Sequence, residues 1–150
     1  MKFDMDHSLG FVLNKTSLLS KASFNQQIKK FDITPEQWGL IFRVVEKSGL
    51  TQKELSDSTY KDQANITRSI DRLEKKGLLK RIANESDRRI INLYPTDKAT
   101  RLVETIIPIS VNFNQFLTGG FTQEEYEMLL ALLKKVYTNL EEKDINESKK

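Results

Sequence analysis

The chain has 150 residues, with 24 Lys and Arg against 21 Asp and Glu and a formal net charge of +3, which fits one compact domain or two small lobes and excludes a large multidomain enzyme. Cysteine is absent and His7 is the single histidine, so there is no disulfide framework, thiolate nucleophile or zinc-thiolate site, no zinc triad of histidines can be assembled, and a Ser-His-Asp relay would have to be built on His7 alone. With 38% hydrophobic and 30% charged residues, acids in the first dozen positions and no apolar stretch near membrane-span length, the composition predicts a soluble, mostly helical cytoplasmic protein. It predicts no membrane association, no cofactor, no metal and no enzymatic activity.

From Ser8 to Ile28 the apolar residues Leu9, Val12, Leu13, Leu18, Leu19, Ala22 and Phe24 fall mostly three and four apart, which predicts a first amphipathic helix. Phe31-Asp32-Ile33 breaks the pattern, and Thr34-Pro35-Glu36-Gln37 supplies an N-cap, a proline at N1 and a Gln that reaches back to the cap. A second helix therefore starts at Pro35 and stops at Ser48-Gly49. Thr51-Gln52-Lys53-Glu54 repeats the capping pattern, so a third helix runs to about Ser58.

Asp62 is a good N-cap for a fourth helix, which carries Ile66, Ile70 and Leu73 on one stripe and ends at Gly77. Two short helices in tandem, the second presenting Gln63, Asn65, Thr67, Arg68, Ser69 and Arg72 away from its apolar stripe, are what a helix-turn-helix requires. Leu78 to Ala83, the turn-prone Asn84-Glu85-Ser86-Asp87, and Arg88 to Tyr94 read as a β-hairpin wing with Asp87, Arg88 and Arg89 at its tip.

Pro95-Thr96 leads into a fifth helix reaching Leu117, with a kink or break expected at Pro108. After Gly119-Gly120, Thr122-Gln123-Glu124-Glu125 opens a last helix with a wide apolar stripe, and Glu141 to Lys150 reads as a frayed tail. The fold class is mostly α with a small β-hairpin wing.

Charge is uneven along this plan. Residues 61–101 hold eleven cations and six anions, a net +5, so the remainder of the chain sums to −2. A basic central segment on a near-neutral helical scaffold points to a polyanion-binding face.

The order of these elements and several short motifs resemble the multiple antibiotic resistance regulator (MarR) family of winged-helix transcription factors. The resemblance rests on Ile33-Thr34-Pro35-Glu36-Gln37-Trp38, on Glu54-Leu55, on Asp62 with Thr67-Arg68, on Arg72-Leu73-Glu74-Lys75-Lys76-Gly77-Leu78 with Arg81, and on Asp87-Arg88-Arg89. It covers roughly residues 8–142. Departures touch detail: Thr59 stands where the family often has Leu, and Gln63 where Lys commonly precedes the small residue, here Ala64.

The resemblance implies one MarR-type domain over residues 1–150, with a winged helix-turn-helix lobe at 34–95 and helical dimerisation regions at 5–30 and 96–142. Gln63, Asn65, Thr67, Arg68 and Arg72 are then the candidates for major-groove contacts, where amides pair with adenine and guanidinium with guanine. By the same resemblance Asp87 orients Arg89 for the minor groove, while Lys80 and Arg88 are candidates for phosphate contacts.

One winged domain has a small footprint, so a homodimer on a palindromic double-stranded operator is expected, with Leu129, Leu133, Val136, Tyr137 and Leu140 as candidate interface residues. Family members commonly answer to small, often aromatic, effectors, and Phe11, Trp38 and Phe42 are candidate pocket walls. The implied function is a dimeric repressor of its own or a neighbouring operon, released by such a ligand. The competing reading is a winged-helix protein-interaction module, which would tolerate loss of Arg68 and Arg89.

Overall fold

The computed structural model describes residues 2–150. The elements in chain order are α1 (Leu9–Ile28), a 3-10 turn (Lys29–Phe31), α2 (Pro35–Glu46), β1 (Leu50–Thr51), α3 (Gln52–Asp57), α4 (Gln63–Lys75), β2 (Leu79–Ala83), β3 (Ile91–Pro95), α5 (Asp97–Leu117) and α6 (Gln123–Ser148). The chain divides into two compact units, one running through Phe113 and one spanning Asn114–Lys150. The first holds α1 to α4, the sheet and most of α5. The second holds the last turn of α5 and all of α6.

The capping residues do what their spacing predicts. Thr34 and Gln37 close a full capping box on α2, and Thr122 and Glu125 close another on α6. Thr51 accepts from the Glu54 amide at 3.1 Å, the first half of the box expected at α3. Gly77 ends α4 at φ 72°, the left-handed region that favours glycine.

The wing is larger than a hairpin. Leu50–Thr51 forms a third strand, and the antiparallel sheet has the order β1-β3-β2, with Leu93 opposite Leu50 on one side and Arg81 on the other. A two-residue strand carries no periodicity to read, so only its pairing reveals it. The expected strand from Arg88 opens only at Ile91, as β3, because Asp87 to Ile90 belong to the tip: the Ile90 amide donates to the Asp87 carbonyl at 3.0 Å.

Two further expectations change. The helical ladder of α5 continues through Pro108 without a break. Pro108 and Glu104 are both exposed, so solvent can take the carbonyl that the missing N–H leaves free. The segment after Glu141 is helix as far as Ser148, supported by a Lys143–Glu147 pair at 3.8 Å and a Ser148 hydroxyl donating to the Asp144 carbonyl at 2.9 Å. Among the described residues no helix is long and apolar enough to cross a membrane.

The core lies wholly within the first unit. Ile28 of α1, Leu40, Ile41 and Val44 of α2, and Leu55 of α3 meet Ile66, Ile70 and Leu73 of α4, with Leu93 from the sheet and Ala99, Val103 and Ile106 from α5. Leu73 is fully buried, so Leu73→Ala leaves a cavity beneath α4. The expected loss is about 2–5 kcal/mol, read as a lower midpoint at unchanged slope in urea denaturation.

Candidate nucleic-acid interface

The apolar spacing of α4 decides which of its side chains face solvent. Ile66, Ile70 and Leu73 point into the core, and Gln63, Asn65, Arg68 and Arg72 are exposed on the other side. Lys61 enters the turn before α4 at φ 55°, and Asp62 caps the helix by accepting from the Asn65 amide at 3.1 Å. The second oxygen of Asp62 accepts from the Asn65 side-chain amide, and the Asn65 carbonyl oxygen in turn accepts from Arg68 Nη2. One carboxylate therefore holds an amide and, through it, a guanidinium on the exposed face.

Thr67 is more constrained than its position suggests. Its hydroxyl donates to the Gln63 carbonyl at 2.8 Å and accepts from Gln52 Nε2 of α3. That leaves one lone pair and the methyl for any partner. At the preceding turn Thr59, the polar substitute for an apolar residue, donates to the Leu55 carbonyl at 2.6 Å and so satisfies the end of α3.

The wing tip is organised by two side chains. Asn84 accepts from the backbone amides of Ser86 at 2.9 Å and Asp87 at 3.2 Å, and its own amide donates to Asn92 at 3.2 Å. Asp87 accepts from Arg89 three times, from the backbone N–H at 3.0 Å and from Nε and Nη2 at 3.1 Å. The Arg89 side chain is nonetheless 90% exposed. Its guanidinium is aimed by the fork-to-carboxylate geometry and still open to a ligand. These side-chain bonds, followed by the Arg89 backbone N–H, hold the Asp87 carboxyl below the usual Asp value. Arg88 and, on the outer face of β2, Lys80 are also exposed.

Arg81 joins wing to helix. It donates through Nη2 to Asp71 at 2.6 Å and through Nη1 to Glu74 at 3.1 Å, and its backbone N–H also reaches Glu74. Asp71 and Glu74 lie one turn apart on α4, so β2 and α4 are tied by one two-sided ion pair.

A cleft of about 730 Å³ opens beside α4, with Lys21, Phe24, Glu36, Tyr60, Arg68 and Phe113 among its walls. Phe24 and Phe113 stack tilted at 5.1 Å, and Lys21 pairs with Glu36 at 2.5 Å. Burial raises the Glu36 carboxyl, but the Lys21 hydrogen bond and the helix-start amide outweigh it and hold the group below the ordinary carboxylate range. Burial, with Glu36 nearby, pushes the Tyr60 phenol up. Its hydroxyl lies against Gly39, where an added Cβ would collide with it.

Comparison with known proteins now has a geometry to refer to. Residues 31–90 match the sequence pattern of the MarR family. The chain is 27% identical over 138 residues to the HTH-type transcriptional regulator YybA of Bacillus subtilis, covering 92% of this chain and 89% of that one. It superposes on a MarR mutant from E. coli in complex with operator DNA at a TM-score of 0.79 and 27% identity, covering 85% of this chain and 92% of that one. The chain carries the pattern and the fold of the MarR family. That is a family of DNA-binding transcriptional regulators and not of enzymes. The fold is also that of Bordetella bronchiseptica BpsR, whose DNA binding is regulated by 6-hydroxynicotinic acid, at a TM-score of 0.86, 23% identity and coverage of 91% and 98%.

The matched segment contains every residue singled out for DNA contact. The structure gathers them into two groups, Gln63, Asn65, Arg68 and Arg72 exposed on α4 with Thr67 half-buried among them, and Arg88 and Arg89 exposed at the wing tip beside a half-buried Asp87, with Lys80 exposed on the wing strand. The positioning groups Asp62, Asn84 and Gln52 had been given no such role, and Arg81 had appeared only as part of a motif. Trp38 and Phe42 stack on each other at 5.5 Å, Lys15 sits 5.0 Å over the Phe11 ring, and none of the three aromatics lines the cleft.

The lowered Asp87 value fixes a sign. A depressed carboxyl contributes stability at pH above the unfolded-state value and loses it as pH falls through the folded value. In an NMR titration the Asp87 carboxyl is expected to titrate below the ordinary Asp range in the wild type and to rise toward it in Arg89→Ala, which removes the two side-chain bonds and keeps the backbone one.

Proposed function

We propose that this chain is a dimeric repressor that reads a palindromic operator through α4 and the wing, controls its own or a neighbouring operon, and is released by a small aromatic effector. The observation that carries the DNA reading is the pair of exposed guanidinia held by carboxylates: Arg68 through Asn65 and Asp62, and Arg89 through Asp87. Such restraint lowers the ordering cost of a base contact. Gln63, Asn65, Thr67, Arg68 and Arg72 supply donors and acceptors for the major groove, Arg89 suits a narrow A·T-rich minor groove, and Lys80 and Arg88 flank them for phosphates. Such a protein works in the cytoplasm, where its operator is.

Support for a dimer comes from α6, a helix of 26 residues with none buried. Leu129, Leu133, Tyr137 and Leu140 are exposed, and Val136 is half-buried. Burying such a stripe on a symmetry mate removes a large apolar area from water, and two copies set two half-sites about one helical turn apart. For the effector, the cleft between Lys21, Phe24, Tyr60 and Phe113 offers aromatic walls and a cation. It fits a small aromatic ligand better than Phe11, Trp38 and Phe42 do, since none of these lines a cleft and Trp38 packs against the core.

A titration against DNA from the protein's own promoter, at two salt concentrations, tests the reading. Tight, salt-sensitive binding is expected, with Arg68→Ala weakening it by about 1–3 kcal/mol and Arg89→Ala reducing preference for A·T-rich flanks. Equal weak binding to every DNA by all three proteins would favour the protein-interaction module. In sedimentation, Leu129→Glu with Leu133→Glu is expected to shift the wild-type dimer to a monomer.

A further inference from the structure

A second concavity lies at the far end of α4 and has no part in the reading above. Its volume is about 630 Å³, and it is formed by three elements distant in sequence: Phe31 and Asp32 at the 3-10 turn, Lys75, Lys76 and Leu78 at the end of α4, and Lys98, Arg101, Leu102 and Thr105 in the first turns of α5. Four cations thus face one acid across a shared hollow. Bringing like charges together from separate elements costs free energy unless a counter-charge joins them.

Two of the cations are fixed in place. Lys98 Nζ donates to the Lys76 carbonyl at 2.8 Å, and Lys76 Nζ donates to the Asp32 carbonyl with the Asp32 carboxylate 3.6 Å away. An ammonium has three donors, so Lys98 keeps two more. Lys75 and Arg101 are exposed at the rim, and a guanidinium matches two oxygens of a phosphate at once. Phe31, Leu78 and Leu102 supply an apolar wall.

We infer that this pocket binds a small polyphosphate, held by Lys75, Lys98 and Arg101, with Phe31 and Leu102 against any group esterified to it. The DNA-reading residues Gln63 and Asn65 stand at the opposite end of α4, about 18 Å away at the usual helical rise, and Arg72, one turn before Lys75, does not line the pocket, so the pocket is separate from that face. A ligand there links the end of α4 to the start of α5, and binding stabilises the fold by mass action.

The test is thermal unfolding of the full chain with sodium pyrophosphate or ADP, against sodium chloride at equal ionic strength. Either polyphosphate at saturation is expected to raise the midpoint by a few degrees over chloride, in the wild type and equally in Arg89→Ala. The shift is expected to vanish in Lys75→Gln with Arg101→Gln, whose unliganded midpoint stays unchanged or rises as repulsion is relieved. Tighter binding of ADP assigns the ligand to a nucleotide, and tighter binding of pyrophosphate to the inorganic ion. An equal shift in chloride, or a shift surviving in the double variant, overturns the proposal. So does a double variant that shows no polyphosphate response but loses DNA affinity at constant salt, since that places the cations on the DNA backbone.

Discussion

Everything at the exposed face depends on how α4 is seated. Three apolar side chains, Ile66, Ile70 and Leu73, are buried against α2, α3, α5 and the sheet, and their spacing leaves the helix one rotation about its axis. Turning it by a single residue, about 100°, would put Arg72 or, in the other sense, Asp71 and Glu74 into the core and strip them of water, a cost far above anything a base contact returns. The hydrophobic stripe is therefore what aims the polar side chains, although none of its members can touch a nucleic acid.

On that seat the carboxylates act as placement devices. Asp62, Asp71, Glu74 and Asp87 each spend their negative charge on a neighbouring donor, so the basic segment is not a diffuse field of cations. Arg81 is consumed between two acids, whereas Arg68 and Arg89 are steadied and left open. Charge counting alone treats the three arginines alike, and their partners separate them.

Much of this was legible in the residues. The caps at Thr34, Thr51, Asp62 and Thr122 and the spacing of Ile66, Ile70 and Leu73 place the helices because these signals act over three or four residues. The Asp87-Arg88-Arg89 tip was legible for the same reason. What escaped depends on pairing between distant segments. Leu50–Thr51 is a strand only because Leu93 lies opposite, and Arg81 becomes a bridge only when β2 folds back along α4. The two clefts likewise gather residues from helices far apart in the chain, so no local pattern announces Lys21 beside Arg68 or Lys76 beside Lys98. The α6 extension gives no clear signal because its last turns are polar apart from Ile145, a composition shared by frayed ends and by helices held together by their own side-chain pairs.

The bridge from Arg81 to Asp71 and Glu74 also makes the helix and the wing a single caliper. A reader whose two points move independently accommodates DNA of any local twist. In the proposed reading, with the α4 tip and Arg89 in neighbouring grooves, the span between them is set by the protein, so a duplex that is over- or under-wound between the two grooves must deform to fit, at a cost that varies with its sequence. Base pairs lying between the contacts, touched by no side chain, thereby enter the selection.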